Sequence, residues 1–110
     1  MKDDSPYLEH IREAIAKIFS YSAAGWDDFS RNSMVQDAVL RNFEIIGEAT
    51  KGLSDSIKGR RPDIPWREIA GFRDVLIHNY MGVNLKRVWN VIQQNLPSLR
   101  QAIEELLVGR

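Results

Sequence analysis

Cysteine is absent from this 110-residue chain, which excludes a disulfide framework, a thiolate metal site and a cysteine nucleophile. Histidine occurs only twice, too few for a histidine-built metal centre unless carboxylates fill most of the sphere. No apolar run approaches the ~18 residues that a membrane span needs. The opening stretch, MKDDSPYLEH, is polar and acidic, with the character of neither a signal nor a transit peptide. Low-complexity tracts, internal repeats and alternating strand patterns are lacking too. What is present, 44% hydrophobic and 27% charged residues, is ordinary globular composition. The expectation is a soluble cytoplasmic protein with one domain over residues 1–110 and no membrane partner.

Net charge is also missing: 15 basic residues balance 15 acidic ones. A neutral total argues against coating nucleic acid through bulk charge. The two halves differ, however. Residues 1–56 hold 10 acidic against 6 basic residues, and residues 57–110 hold 9 basic against 5 acidic. A local basic face built from the second half, or head-to-tail complementarity between copies, fits that split, as does charge scattered over a solvated surface.

The pattern reads as helical nearly throughout. Ser5 and Pro6 form a helix start, with Ser5 as N-cap and Pro6 at the first helical position. Leu8, Ile11, Ile15 and Ile18 follow at spacings of three and four, one apolar stripe, and Glu13 and Lys17 oppose it in the favourable i,i+4 order. Ala24-Gly25 breaks this helix. A second runs from Asn32 or Ser33 to about Leu53, with Val35, Ala38, Val39, Ile46, Ala49 and Leu53 inward. Asp37, Arg41, Glu44 and Glu48 form its charged stripe, read either as a solvated face with local ion pairs or as partners for a buried cation. Gly47, mid-helix at a cost of roughly 1 kcal/mol, points to a close helix–helix approach. The connector SDSIKGRRPDIPW cannot form a long helix because of Gly59, Pro62 and Pro65. It carries the densest basic run, Lys58, Arg60 and Arg61. A third helix starts near Pro65-Trp66 and ends before Gly82. Asn84 caps a fourth bearing Leu85, Val88, Trp89 and Ile92. Pro97 opens a fifth, with Leu99, Ile103, Leu106 and Leu107 inward. The expected fold is all-α, an antiparallel bundle of about five helices.

The third helix breaks the pattern. Its apolar face is Trp66, Ile69, Ala70, Leu76, Ile77 and Tyr80, and at about 100° per residue Arg73 falls in the middle of it. A guanidinium keeps its proton and is costly to bury unpaired. Arg73 therefore either meets a carboxylate, with Asp37, Glu44 and Glu48 as candidates, or faces a wet cleft. His78 lies ~140° around a straight helix from Arg73. The two converge only if the helix distorts or ends near His78, or if a second chain supplies one of them. Taken alone, a histidine at a helix C-terminus is a favourable dipole contact. His10, beside Glu9, reads as a surface residue. Trp66 and Trp89 read as core residues, with base stacking as the rival role. Lys58, Arg60, Arg61, Lys86 and Arg87 are candidates for phosphate contacts outside the cleft.

The octapeptide RDVLIHNY has the form Arg, four residues, His, any residue, Tyr. It resembles the signature of the HEPN domain, in particular of the HepT-like ribonuclease toxins of prokaryotic toxin–antitoxin pairs. The flanking stretches QDAVLRNFEIIGEA at 36–49 and IPWREIAGFRDVLIHNYMGVNLKRVW at 64–89 resemble that family in order and spacing, and the likeness covers essentially the whole chain. It departs at Asn84, where the family often has an acidic cap; Asn caps equally well.

The resemblance implies an all-α homodimer, or a higher oligomer, with a shared cleft and metal-independent endoribonuclease activity that needs no cofactor. By resemblance Arg73 and His78 are the catalytic pair, Asp74 supports or orients them, and Tyr80 matches the residue that a partner minimal nucleotidyltransferase antitoxin modifies with AMP. RNA carries its own nucleophile, the 2′-OH, and the chemistry is coherent with that motif. Histidine suits proton transfer near neutrality and arginine forks onto phosphate oxygens. The alternative class is a non-catalytic HEPN binding module that docks a nucleotidyltransferase and positions its substrate. A scaffold bundle without a site leaves Arg73 on the apolar face unexplained.

Overall fold

A computed structural model describes residues 3–77 and 84–109, without side chains over 72–77. Among the described residues it is built from helices alone: α1 (Ser5–Tyr21), α2 (Trp26–Arg31), α3 (Ser33–Gly52), α4 (Asp55–Gly59), α5 (Trp66–Ile77), α6 (Leu85–Gln94) and α7 (Leu96–Val108). The five long helices stand where the periodicity of the sequence puts them. Two short ones, α2 and α4, occupy stretches expected as a break and a connector.

The first helix begins one residue earlier than the Ser-Pro signal suggests. Asp4, not Ser5, is the N-cap, and its carbonyl accepts from Leu8 at 3.0 Å. The Ser5 amide donates instead to Asp3 Oδ1 at 3.0 Å. That arrangement releases the Asp4 carboxylate for a distant partner. It accepts from the Ser54 amide (2.8 Å) and the Ser54 hydroxyl (2.6 Å), 50 residues along the chain. Ser54 in turn caps α4, its Oγ accepting from the Ile57 amide. One buried carboxylate therefore joins the start of α1 to the start of α4. Tyr7 packs its ring so closely on Gly52 that no Cβ fits there. These two contacts bring the beginning of α1 to the end of α3, so the pair runs antiparallel.

The predicted stripe of α1 is the centre of the core: Leu8, Ile11, Ile15 and Ile18 are fully buried. Burial of such side chains contributes about 2 kcal/mol each. α1 packs on α3 and α7. α3 presents Val39, Phe43, Ile46 and Ala49 to the interior and also packs against α5. Asn32 caps α3 as expected, accepting from the Val35 amide, and Gly47 is buried within it. Of the residues expected inside α3, Val35 and Ala38 are only half-buried, because α2 covers that end incompletely.

α2 follows Gly25, whose φ of 95° is a conformation that favours glycine. Asp27 and Asp28 in its first turn suit the helix dipole. It delivers Phe29 and Trp26 to Trp89 of α6, with ring centroids 5.4 and 5.9 Å away. The Gln36 amide donates to the Phe29 carbonyl at 2.8 Å and ties α2 to α3.

Asp4→Ala removes both hydrogen bonds to Ser54 and leaves a half-buried amide without its partner. The expected loss is about 2 kcal/mol, read from the urea midpoint with an unchanged slope. A loss below a few tenths would show that the α1–α4 link is dispensable.

Candidate functional site

The helix that carries the motif is anchored at its start. The connector turns through Pro62 and Pro65, and the Trp66 amide bonds to the Ile64 carbonyl at 2.9 Å. The Trp66 indole Nε1 then donates to the carbonyls of Lys58 (3.1 Å) and Arg61 (3.0 Å). Trp66 is thus a core residue whose polar edge holds the connector against the first turn of α5. Ile69 and Ala70 follow on the same face, half-buried. Arg73 and Asp74 lie further along α5, with Arg73 about 6 Å beyond Ile69 along the axis. His78 and Tyr80 lie outside the described residues, as does the helix end expected before Gly82.

The next helix begins where the sequence places it. Asn84 accepts from the Arg87 amide at 3.0 Å and caps α6. Lys86 and Arg87 in its first turn are exposed, and the Lys86 ammonium sits 4.7 Å from the centre of the Trp26 ring, a cation–π contact. Trp89 is half-buried within the Trp26–Phe29–Trp89 cluster, so its packing is that of a core residue.

The connector cations differ from one another. Arg61 forks onto Asp63 (Nε–Oδ1 3.0 Å, Nη2–Oδ2 2.9 Å) and also pairs with Glu105 of α7. The hydrogen bond to Asp63 raises the Arg61 pKa further, and the same bond holds the Asp63 carboxyl below its ordinary value. Arg61 is therefore engaged in stapling the connector to α7. Arg60 is exposed and lies against Gly109, and Lys58 is half-buried.

On α3, Arg41 pairs with Glu44 at 3.6 Å, Glu48 pairs with Lys51 at 3.7 Å, and Asp37 is exposed. Part of that stripe, with Tyr7 and the exposed His10, borders a shallow cavity of about 290 Å³ between α1 and α3. A larger cavity of about 440 Å³ is walled by α3, α5, α6, α7 and the connector. No sequence signal announced it, because its walls come from elements far apart in the chain. Among the described residues no three His, Cys, Asp or Glu side chains gather as a metal site would need, and no helix is long and apolar enough to cross a membrane.

A helical architecture among the described residues, together with the sequence motif Arg-x4-His-x-Tyr, is that of a HEPN-type protein. Comparison with known proteins narrows this. The family model described as ribonuclease HepT-like matches residues 11–106, and the chain belongs to that family. It is 40% identical to a protein of Caldanaerobacter subterraneus subsp. tengcongensis named by inference as an RNase, over 97% of this chain and 96% of that one. It is 43% identical to a protein of Thermococcus cleftensis named by inference as ribonuclease HepT, over 91% and 92% of the two chains. It is 41% identical to a Methanocaldococcus jannaschii protein named as a gamma-glutamylcyclotransferase and inferred RNase, over 96% of this chain but 48% of that protein. No solved structure gives a significant match.

The Arg61–Asp63 pair predicts a pH dependence. The folded pKa of Asp63 is below its unfolded value, so the stabilisation is present above about pH 4 and is lost as pH falls through the folded value. Asp63→Asn should lower the melting temperature slightly at neutral pH, with the two proteins converging in acid. A constant gap down to the acid limit would show that the pair does not titrate as argued.

Proposed function

We propose that this protein is a metal-independent endoribonuclease toxin, acting as a homodimer and restrained by a minimal nucleotidyltransferase antitoxin. The observation that carries the reading is the sequence motif Arg73-x4-His78-x-Tyr80 in a member of the HepT-like ribonuclease family. The family is a ribonuclease family, and the inferred RNase names of the relatives support the same chemistry.

The reaction needs no external nucleophile. One His78 imidazole takes the proton of the ribose 2′-OH while O2′ forms its bond to phosphorus. The P–O5′ bond breaks, and the protonated His78 of a second copy gives its proton to the leaving oxygen. The products are a 2′,3′-cyclic phosphate and a free 5′-hydroxyl. Arg73 neutralises the charge that gathers on the phosphoryl oxygens in the transition state. Asp74, the next residue, orients the imidazole and sets its tautomer. Two copies supply two histidines, which accounts for acid and base without a metal. Arg60, Lys58, Lys86 and Arg87 are the cations that would hold the strand outside the cleft by phosphate contacts. Arg61, already paired with two carboxylates, would contribute least.

AMP attached to the Tyr80 hydroxyl places a phosphate two residues from His78. Its negative charge repels RNA phosphates and competes for Arg73. Modification by a nucleotidyltransferase therefore switches the toxin off without unfolding it.

His78→Ala should fold with an unchanged melting temperature and lose at least about a hundredfold of RNA cleavage, while cleavage by the unaltered protein persists in EDTA. Retained cleavage by the variant would refute the catalytic assignment, and chelator sensitivity would point to a metal mechanism. Incubation with a neighbouring-gene nucleotidyltransferase and ATP should add AMP at Tyr80, seen by peptide mass spectrometry. An adduct found only elsewhere would remove Tyr80 from regulation.

A further inference from the structure

The 440 Å³ cavity beside the motif helix has a chemistry that the proposed reaction does not use. Its floor is apolar, formed by Phe43 and Ile46 of α3, Ile69 of α5, Val91 of α6 and Leu99 of α7. Its rim is polar and of mixed charge. Glu68 of α5 brings an exposed carboxylate, Arg87 of α6 an exposed guanidinium, and Asn95 and Ser98 an amide and a hydroxyl. Neither Glu68 nor Arg87 has an ion-pair partner among the described residues. Asp63 also borders the cavity, but the Arg61 fork holds it.

A flat, mostly apolar body with an amino-bearing edge at one end and a phosphate at the other matches that set. The volume falls in the range of small-ligand pockets. The aliphatic and aromatic floor suits the face of a nucleobase. Glu68 is an obligate acceptor and suits an exocyclic amino group; uracil lacks one and offers only its N3–H, flanked by two carbonyls that face a carboxylate with like polarity. Arg87 suits the phosphate that follows. The cavity also lies next to the motif: Ile69 precedes Arg73 by one helical turn, about 6 Å along α5, which a neighbouring nucleotide spans.

We infer that this cavity is a base-selecting subsite, which takes an unstacked nucleotide of single-stranded RNA adjacent to the scissile linkage and favours adenine, cytosine or guanine over uracil. It deepens the ribonuclease reading and rests on it for its purpose, but binding can be tested without cleavage. Selection arises from charge complementarity: Glu68 reads the amino edge, Arg87 holds the phosphate, and the apolar floor takes the face of the base.

The experiment measures fluorescence anisotropy of labelled oligo(A), oligo(C) and oligo(U) with the intact protein, Glu68→Gln and Val91→Phe. Oligo(A) and oligo(C) should bind about tenfold tighter than oligo(U). Glu68→Gln, an exposed change that leaves the core alone, should remove most of that preference. Val91→Phe, which fills the cavity, should lower oligo(A) and oligo(C) binding towards the oligo(U) level. Equal binding of the three oligonucleotides, or a preference that survives Glu68→Gln, overturns the subsite. Free AMP forms the second arm: if Val91→Phe abolishes AMP binding but leaves oligonucleotide binding intact, the cavity serves a free nucleotide and the inference fails. A preference that depends on Glu68 in a protein that cleaves no RNA would retain the subsite and reject the ribonuclease reading.

Discussion

Burial of one stripe on α1 organises this molecule. Leu8, Ile11, Ile15 and Ile18 are removed from solvent completely, and no single neighbour could cover them. α3 closes one side and α7 another. Because α3 then offers its remaining face to α5, the helix carrying the motif is placed by the same packing that buries the first helix. The Asp4–Ser54 bonds and the Tyr7–Gly52 contact hold the ends of α1 and α3 in register. A shift between them would move α5 with them.

The exposed cations sit at the margin of this core. The second half of the chain carries the excess of basic residues, and the structure divides them by role. Arg61 is committed to Asp63 and Glu105 and fastens the connector on which α5 starts. Lys86 lies over Trp26. Arg87 borders the large cavity instead. Basic side chains thus serve as staple, as cover for an aromatic ring and as a potential ligand contact, according to the carboxylates and rings that the fold brings near.

Much of the fold was legible in the residues because helices are written locally. The Asn32 and Asn84 caps, the break at Gly25, the apolar stripes of α1 and α7 and the i,i+4 pair Glu13–Lys17, found at 3.6 Å, all follow from patterns within one or two turns. Short helices were harder. α2 and α4 have six and five residues, too few for a periodicity to emerge from the Gly- and Pro-marked segments that contain them. The Ser5 cap failed for a related reason: Asp3, Asp4 and Ser5 are all competent caps, and only the distant Ser54 decides which carboxylate leaves its helix. Of the candidate site, the motif was visible as an arginine out of place on an apolar face. The cavity was not, since its walls come from four helices and a connector.

By itself, then, the sequence determined the helices, their caps and their inward faces, because those depend on neighbours three or four residues away. It also carried the family likeness through RDVLIHNY. Only the tertiary structure decided that Asp4 serves Ser54 across 50 residues and Arg61 serves Glu105 across 44, and that Phe43, Ile69 and Val91 enclose one cavity. Side-chain partners at such separations are chosen by how the buried faces meet, and that choice is made only when the helices pack.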